Sequence, residues 1–137
     1  MLRGVASRIA SPPRAADNPG VRPTLLIVDD HPTFRGMARE ILESDGFDVV
    51  GEAPDGGAAL SAARDLRPDV VLVDVRLPDT DGFAVARRMT AHGDAPAVVV
   101  TSSSDDPLYP GRARSSGARG FLAKHDLSGP ALSLLLA

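Results

Sequence analysis

Val70-Val71-Leu72-Val73-Asp74 is the stretch around which the rest of the chain is organised. Four consecutive apolar residues, three of them β-branched, are too few for a buried helix and suit a strand covered on both faces. Such strands belong to the middle of parallel sheets. Asp74 closes the run, and Arg76-Leu77-Pro78-Asp79 follows as a loop, because proline and aspartate break both helix and strand. A carboxylate at the carboxyl end of a central parallel strand sits where open α/β sheets bind their ligands. The alternative is a solvated aspartate that merely ends the strand, and the flanking sequence decides between the two.

On the amino-terminal side, Thr24-Leu25-Leu26-Ile27-Val28 reads as a first strand ending in Asp29-Asp30. His31-Pro32 turns the chain into a helix reaching about Ser44, with Phe34, Met37, Ala38, Ile41 and Leu42 spaced to share a face. Gly46 stops it, Phe47-Asp48-Val49-Val50 begins a short second strand, and Gly56 to Leu66 is an alanine-rich helix. On the carboxyl-terminal side, Asp81-Gly82 opens a helix carrying Phe83, Val85, Ala86 and Met89. Ala97-Val98-Val99-Val100 is a second fully apolar strand, ending at Thr101. Pro107, Pro110 and Gly111 leave about two turns of helix before Gly117. Gly120-Phe121-Leu122-Ala123 is the last strand, ending at Lys124, and a final helix starts near Gly129-Pro130. Strand and helix alternate five times without a hairpin signal, which predicts an α/β fold: a doubly wound five-stranded parallel sheet with helices on both faces. Asp29 and Asp30, Asp74, Thr101 and Lys124 then converge along one edge of that sheet.

The chain has 137 residues, 43% of them hydrophobic and 24% charged, which fits one globular domain. Without cysteine there are no disulfides, thiolate metal sites or thiol catalysis. No apolar run approaches the ~18 residues of a membrane span. Residues 1–23 hold four arginines against Asp17, a charge of +3, so with −3 overall residues 24–137 carry −6. That balance argues against a nucleic-acid partner bound through a general basic surface. Residues 1–23, with four prolines, two glycines and no sustained period, read as a disordered tail ahead of a domain over 24–137. Lys124 is the only lysine.

Three carboxylates and one ammonium in a small cleft sum to −2. At ~4 Å and an effective dielectric near 20, each carboxylate pair repels by about 4 kcal/mol. The cluster must take up protons, pair, or bind a cation, and hard oxygen ligands point to Mg²⁺. Bound Mg²⁺ would draw in a phosphoryl group, with Lys124 and the Thr101 hydroxyl on its oxygens. An aspartate can itself be the nucleophile, forming an acyl phosphate.

With its acidic pair after the first strand, Asp-Val-Arg-Leu-Pro-Asp from Asp74, Thr101, and Phe-Leu-Ala-Lys at 121–124, the chain resembles the receiver domains of bacterial two-component response regulators. The resemblance covers about residues 24–136 and implies a flavodoxin-like sheet of order 2-1-3-4-5. It implies that Asp74 accepts a phosphoryl group from a histidine kinase or a histidine phosphotransfer protein. Asp29, Asp30, Asp74 and the backbone carbonyl of Arg76 would hold Mg²⁺, Asp29 partly through water. Lys124 and Thr101 would grip the phosphoryl oxygens, and Phe121 would turn with the state of the switch. Such a domain is a cytoplasmic phosphoacceptor rather than an enzyme, limited to self-phosphorylation and slow self-dephosphorylation, with no membrane and no nucleic-acid contact of its own. The reading expects a stand-alone receiver that signals to an output protein or a second copy through the 101–136 face. Two departures from the family pattern stand out: His125 follows the lysine where many relatives have proline, and prolines interrupt 107–111.

Two rivals stand beside this reading. One is a haloacid-dehalogenase-like Mg²⁺-dependent phosphatase, whose first-strand Asp-x-Asp is broken here by Asp29-Asp30-His31. The other is a degenerate receiver acting only as a protein-binding module. His31, His92 and His125 are expected at the surface rather than as ligands, Tyr109 in a loop or partner contact, and Asp105-Asp106 as an ordinary helix cap. In the final segment, Leu132, Leu135 and Leu136 are expected to face the core and Leu134 the solvent, where with Tyr109 it would form an apolar partner surface.

Overall fold

The computed structural model describes residues 20–137. Its strands are β1 (Thr24–Val28), β2 (Asp48–Ala53), β3 (Val70–Asp74), β4 (Ala97–Ser102) and β5 (Gly120–Ala123). Between and after them run α1 (Pro32–Ser44), α2 (Gly56–Leu66), α3 (Gly82–Met89), α4 (Tyr109–Ser115) and α5 (Gly129–Leu136). All strand pairs are parallel and the sheet order is β2-β1-β3-β4-β5, so β3 lies at the centre, as its unbroken apolar run requires.

The pleat divides the core in two. Leu26, Val28, Val71, Val73, Val98 and Val100 point to one face, where Phe83, Val85, Met89, Tyr109 and Ala113 cover them from α3 and α4. Leu25, Ile27, Leu72, Val99 and Leu122 point to the other, under Phe34, Ala38 and Leu42 of α1 and Leu132 of α5. Both faces of β3 are sealed, and all five of its residues are buried, Asp74 included.

Local chemistry sets the ends of the helices. The side chains of Asp55, Asp81 and Ser128 accept hydrogen bonds from the N–H groups of Ala58, Ala84 and Ala131, capping α2, α3 and α5. Gly46 takes φ +104°, the left-handed step that ends α1.

Three expectations need correction. The second strand begins at Asp48, not Phe47, and runs to Ala53, while the Phe47 side chain is buried in the α1–α5 core. The expected tail over 1–23 lies, up to residue 19, outside the described residues, but its end is bonded to the domain. The Arg22 guanidinium donates to the carbonyls of Glu43 (2.7 Å), Phe47 (3.1 Å) and Gly46 (3.3 Å), and Asp48 N–H donates to the Pro23 carbonyl (2.8 Å). Tyr109 is neither loop nor partner surface: it is the first residue of α4 and is buried. Leu132 is buried and Leu134 is 79% exposed, as expected.

Candidate functional site

Strand register brings the site together. Asp74 on β3 pairs with Thr101 on β4, and Thr101 pairs with Leu122 on β5, two residues before Lys124. Val28 pairs with Val73, so Asp29 stands beside Asp74 at the carboxyl edge. Residues from four segments of the chain therefore meet where parallel strands leave an open crevice.

Lys124 is central to the electrostatics. Its Nζ lies 2.7 Å from Asp29 Oδ2 and 3.3 Å from Asp74 Oδ2. Asp29 is fully buried, Asp74 is 4% exposed, and Asp30 faces solvent. Asp29 Oδ2 accepts no hydrogen bond of acceptable direction, although Nζ is close, so the ammonium meets it as a charge rather than along a directed bond. Burial pushes the Asp74 carboxyl above its ordinary value; the Lys124 charge opposes this and the Asp29 charge reinforces it. Two buried carboxylates facing a single ammonium remain short of positive charge. One carboxylate oxygen each of Asp29, Asp30 and Asp74 and a ring nitrogen of His31 lie within 4.8 Å of one another. This donor set, with a buried carboxylate oxygen lacking a directed partner, fits a hard divalent cation.

Thr101 and Phe121 lie on the neighbouring strands β4 and β5. Thr101 is fully buried, and its Oγ1 donates to the Leu122 carbonyl at 2.6 Å. Phe121 is half-buried on β5, its ring centroid 5.5 Å from that of Tyr109, which is 5.6 Å from that of Phe83. Arg76 is exposed and forms an isolated antiparallel bridge with Asp81, folding the loop after Asp74 back on itself. The Gly82 N–H donates to the Val75 carbonyl at 2.8 Å. A Cβ on Gly82 would lie 2.4 Å from the Asp74 carbonyl oxygen, so only glycine lets the chain pass so near the Asp74 main chain.

Sequence reasoning missed three contributors to this region. His31 was expected at the surface; its ring is 69% exposed, yet Nδ1 stands 3.1 Å from both Asp29 Oδ1 and Asp30 Oδ1. Its place directly after the acidic pair was the available signal. Asp79 read only as a loop breaker, but its two carboxylate oxygens accept from Gly56 N–H (2.8 Å) and Gly57 N–H (2.9 Å). Those bonds hold the Asp79 carboxyl below the usual range and tie the loop after Asp74 to the start of α2. Phe34 read as plain core, yet its ring lies under the Lys124 ammonium, 4.3 Å from centroid to Nζ. The expectation that Asp105-Asp106 caps a helix needs correction: Asp106 accepts from Leu108 N–H in the turn before α4, which itself begins without a side-chain cap.

Comparison with known proteins agrees with this fold. The family profile for the response regulator receiver domain matches residues 25–128. Response regulator GacA of Pseudomonas syringae pv. syringae (strain B728a) is 42% identical over 102 residues, 73% of this chain and 47% of that protein. The virulence factors putative positive transcription regulator BvgA of Bordetella pertussis is 37% identical over 102 residues, 74% of this chain and 49% of that protein. The chain thus spans about half the length of the curated relatives it matches. Among solved structures, the signal receiver domain of the putative response regulator NarL from Mycobacterium tuberculosis superposes with a TM-score of 0.76 at 34% identity, covering 85% of this chain and 98% of that one. The CheX-CheY-BeF3-Mg+2 complex from Borrelia burgdorferi, at 23% identity and a TM-score of 0.75, shows the likeness of fold alone.

Proposed function

The chain belongs to the response regulator receiver domain family, and on that premise we propose that Asp74 is its phosphoacceptor. The observation that carries the reading is the placement of Asp74: buried at the end of the central strand, with Lys124 Nζ 3.3 Å from its carboxylate and Thr101 opposite it in register. An Asp74 oxygen attacks the phosphorus of a phosphohistidine on a histidine kinase or phosphotransfer protein. The P–N bond breaks, its electron pair leaves with the imidazole, and an acyl phosphate forms on Asp74.

Asp29, Asp30 and Asp74, with the carbonyl of Arg76, are the residues proposed to hold Mg²⁺. When bound, that ion supplies charge neutralisation for the carboxylates and the incoming phosphoryl oxygens. Lys124 turns its ammonium from Asp74 to the phosphoryl group, making a charge-assisted contact. Thr101 gives up the Leu122 carbonyl to reach the same group, and Phe121 moves with β5. The output surface in this reading is the 101–136 face, where Leu108 (68%) and Leu134 (79%) are exposed, and its partner is an output protein or a second copy. Among the described residues no helix is long and apolar enough to cross a membrane. The proposed phosphodonor places the domain in the cytoplasm.

Mass spectrometry after incubation with acetyl phosphate and Mg²⁺ tests the reading. One phosphoryl group on Asp74, absent in Asp74→Asn, is expected. Labelling that persists in that variant, or that maps to Asp29, would overturn it and favour the phosphatase.

A further inference from the structure

We propose that Phe34 is a positioning residue for Lys124: the face of its ring carries the ammonium and keeps it within reach of Asp74. This rests on the phosphoacceptor reading above, in which Lys124 is the group that meets the phosphoryl oxygens.

Lysine has a long, flexible stem, and an ammonium held only by charge follows the nearest carboxylate. Here the nearest is Asp29, at 2.7 Å, while Asp74 is at 3.3 Å. Asp29 alone would draw the ammonium out of line with the phosphoacceptor. Phe34 is 9% exposed, in the first turn of α1, and Nζ stands 4.3 Å from its ring centroid. That is well inside the distance at which a ring face attracts a cation, and the Lys124 side chain is only 15% exposed, so water does little to screen the contact. Among the described residues the Asp29 carboxylate, the Asp74 carboxylate and the ring stand close to the ammonium. The ring suits its place beside the two carboxylates. It attracts the charge without competing as a third carboxylate, and being rigid within α1 it fixes the height of the ammonium above the sheet edge. Phe34 thereby couples the start of α1 to the end of β5.

A plain core role for Phe34 predicts something different, and two variants separate the two. Phe34→Leu keeps an apolar side chain and loses the ring; Phe34→Tyr keeps the ring. Because Lys124 is the only lysine in the chain, lysine-selective ¹³C labelling yields one Cε–Hε signal to follow. In the full chain that signal is expected upfield through the ring current, to stay there in Phe34→Tyr, and to return to the ordinary lysine position in Phe34→Leu. Affinity for beryllofluoride with Mg²⁺ is expected to fall about three- to thirty-fold in Phe34→Leu and to stay within about two-fold in Phe34→Tyr. Overturning results are an unchanged signal and affinity in Phe34→Leu, or a loss in Phe34→Tyr as large as in Phe34→Leu. Lys124→Ala is the control: if it binds beryllofluoride as tightly as the natural protein, the phosphoacceptor reading fails rather than the role of Phe34.

Discussion

Thr101 Oγ1 donates a 2.6 Å hydrogen bond to the main-chain carbonyl of Leu122, its register partner on the neighbouring strand. The hydroxyl is fully buried and has a single proton to give, so it cannot hold β5 and a phosphoryl group with that proton at once. Thr101→Ala is expected to cost about 1 kcal/mol of stability, seen by urea denaturation, and to uncouple Asp74 from β5. Thr101→Ser should retain most of both. Equal stability of all three proteins would show that the bond contributes nothing.

Stability should depend on pH through Asp74. Burial, opposed by Lys124 and reinforced by Asp29, raises its carboxyl above the unfolded value. The folded protein therefore keeps this proton to higher pH than the unfolded chain does. The group's stabilising contribution is present in full below the unfolded value and is lost as pH rises through the folded one. Without divalent cations, Asp74→Asn should then be more stable than the natural protein at pH 7, with the gap closing as pH falls toward about 4. Urea denaturation across that range measures it; a natural protein that outlasts the variant at neutral pH would contradict the expectation.

Removing Lys124 should leave Asp29 and Asp74 without their cation. Lys124→Ala is expected to destabilise the metal-free protein by about 3 kcal/mol at neutral pH, because one partner of a buried charge cluster is gone. Mg²⁺ should restore part of that loss, and a larger part than it adds to the natural protein. A calorimetric melting series with and without Mg²⁺ decides it.

Gly82→Ala places a methyl 2.4 Å from the Asp74 carbonyl oxygen, a main-chain atom that cannot rotate away. Overpacking of this kind costs about 1–3 kcal/mol. Because the displaced atoms belong to Asp74, the proposed phosphoacceptor, labelling by acetyl phosphate should slow as well, and the two measurements should fall together.

Arg22→Ala is expected to cost about 1 kcal/mol, since three carbonyls at the end of α1 and just beyond it lose one shared donor. Thermal melting of this variant beside the natural protein is the check. An unchanged midpoint would show that water replaces the guanidinium at no cost.

The sheet and its edge were legible in the sequence because they rest on local signals: apolar runs of strand length, turn residues after each, and an acidic or basic residue where each run stops. Register then follows from topology, and register alone brings Asp29, Asp74, Thr101 and Lys124 together. What sequence could not disclose depends on side-chain direction across long separations. Tyr109 between two prolines carries no local sign that it lies between Phe83 and Phe121. Phe34 has the helical spacing of any core residue, and nothing in that spacing shows a cation above its ring. Arg22 lies in a proline-rich stretch without period, and its partners are main-chain carbonyls, which every residue has.

The two bonds from Gly56 and Gly57 to Asp79 bear on how receivers can be recombined. A chimera that imported the loop after Asp74 from a relative lacking this carboxylate would leave two main-chain donors at the start of α2 without their acceptor. One that imported α2 with a bulkier residue in place of Gly56 would meet Thr80, whose methyl lies 2.4 Å from where a Cβ on Gly56 would sit. Loop and helix start behave as a single exchangeable module, although a whole helix and strand separate them in the chain.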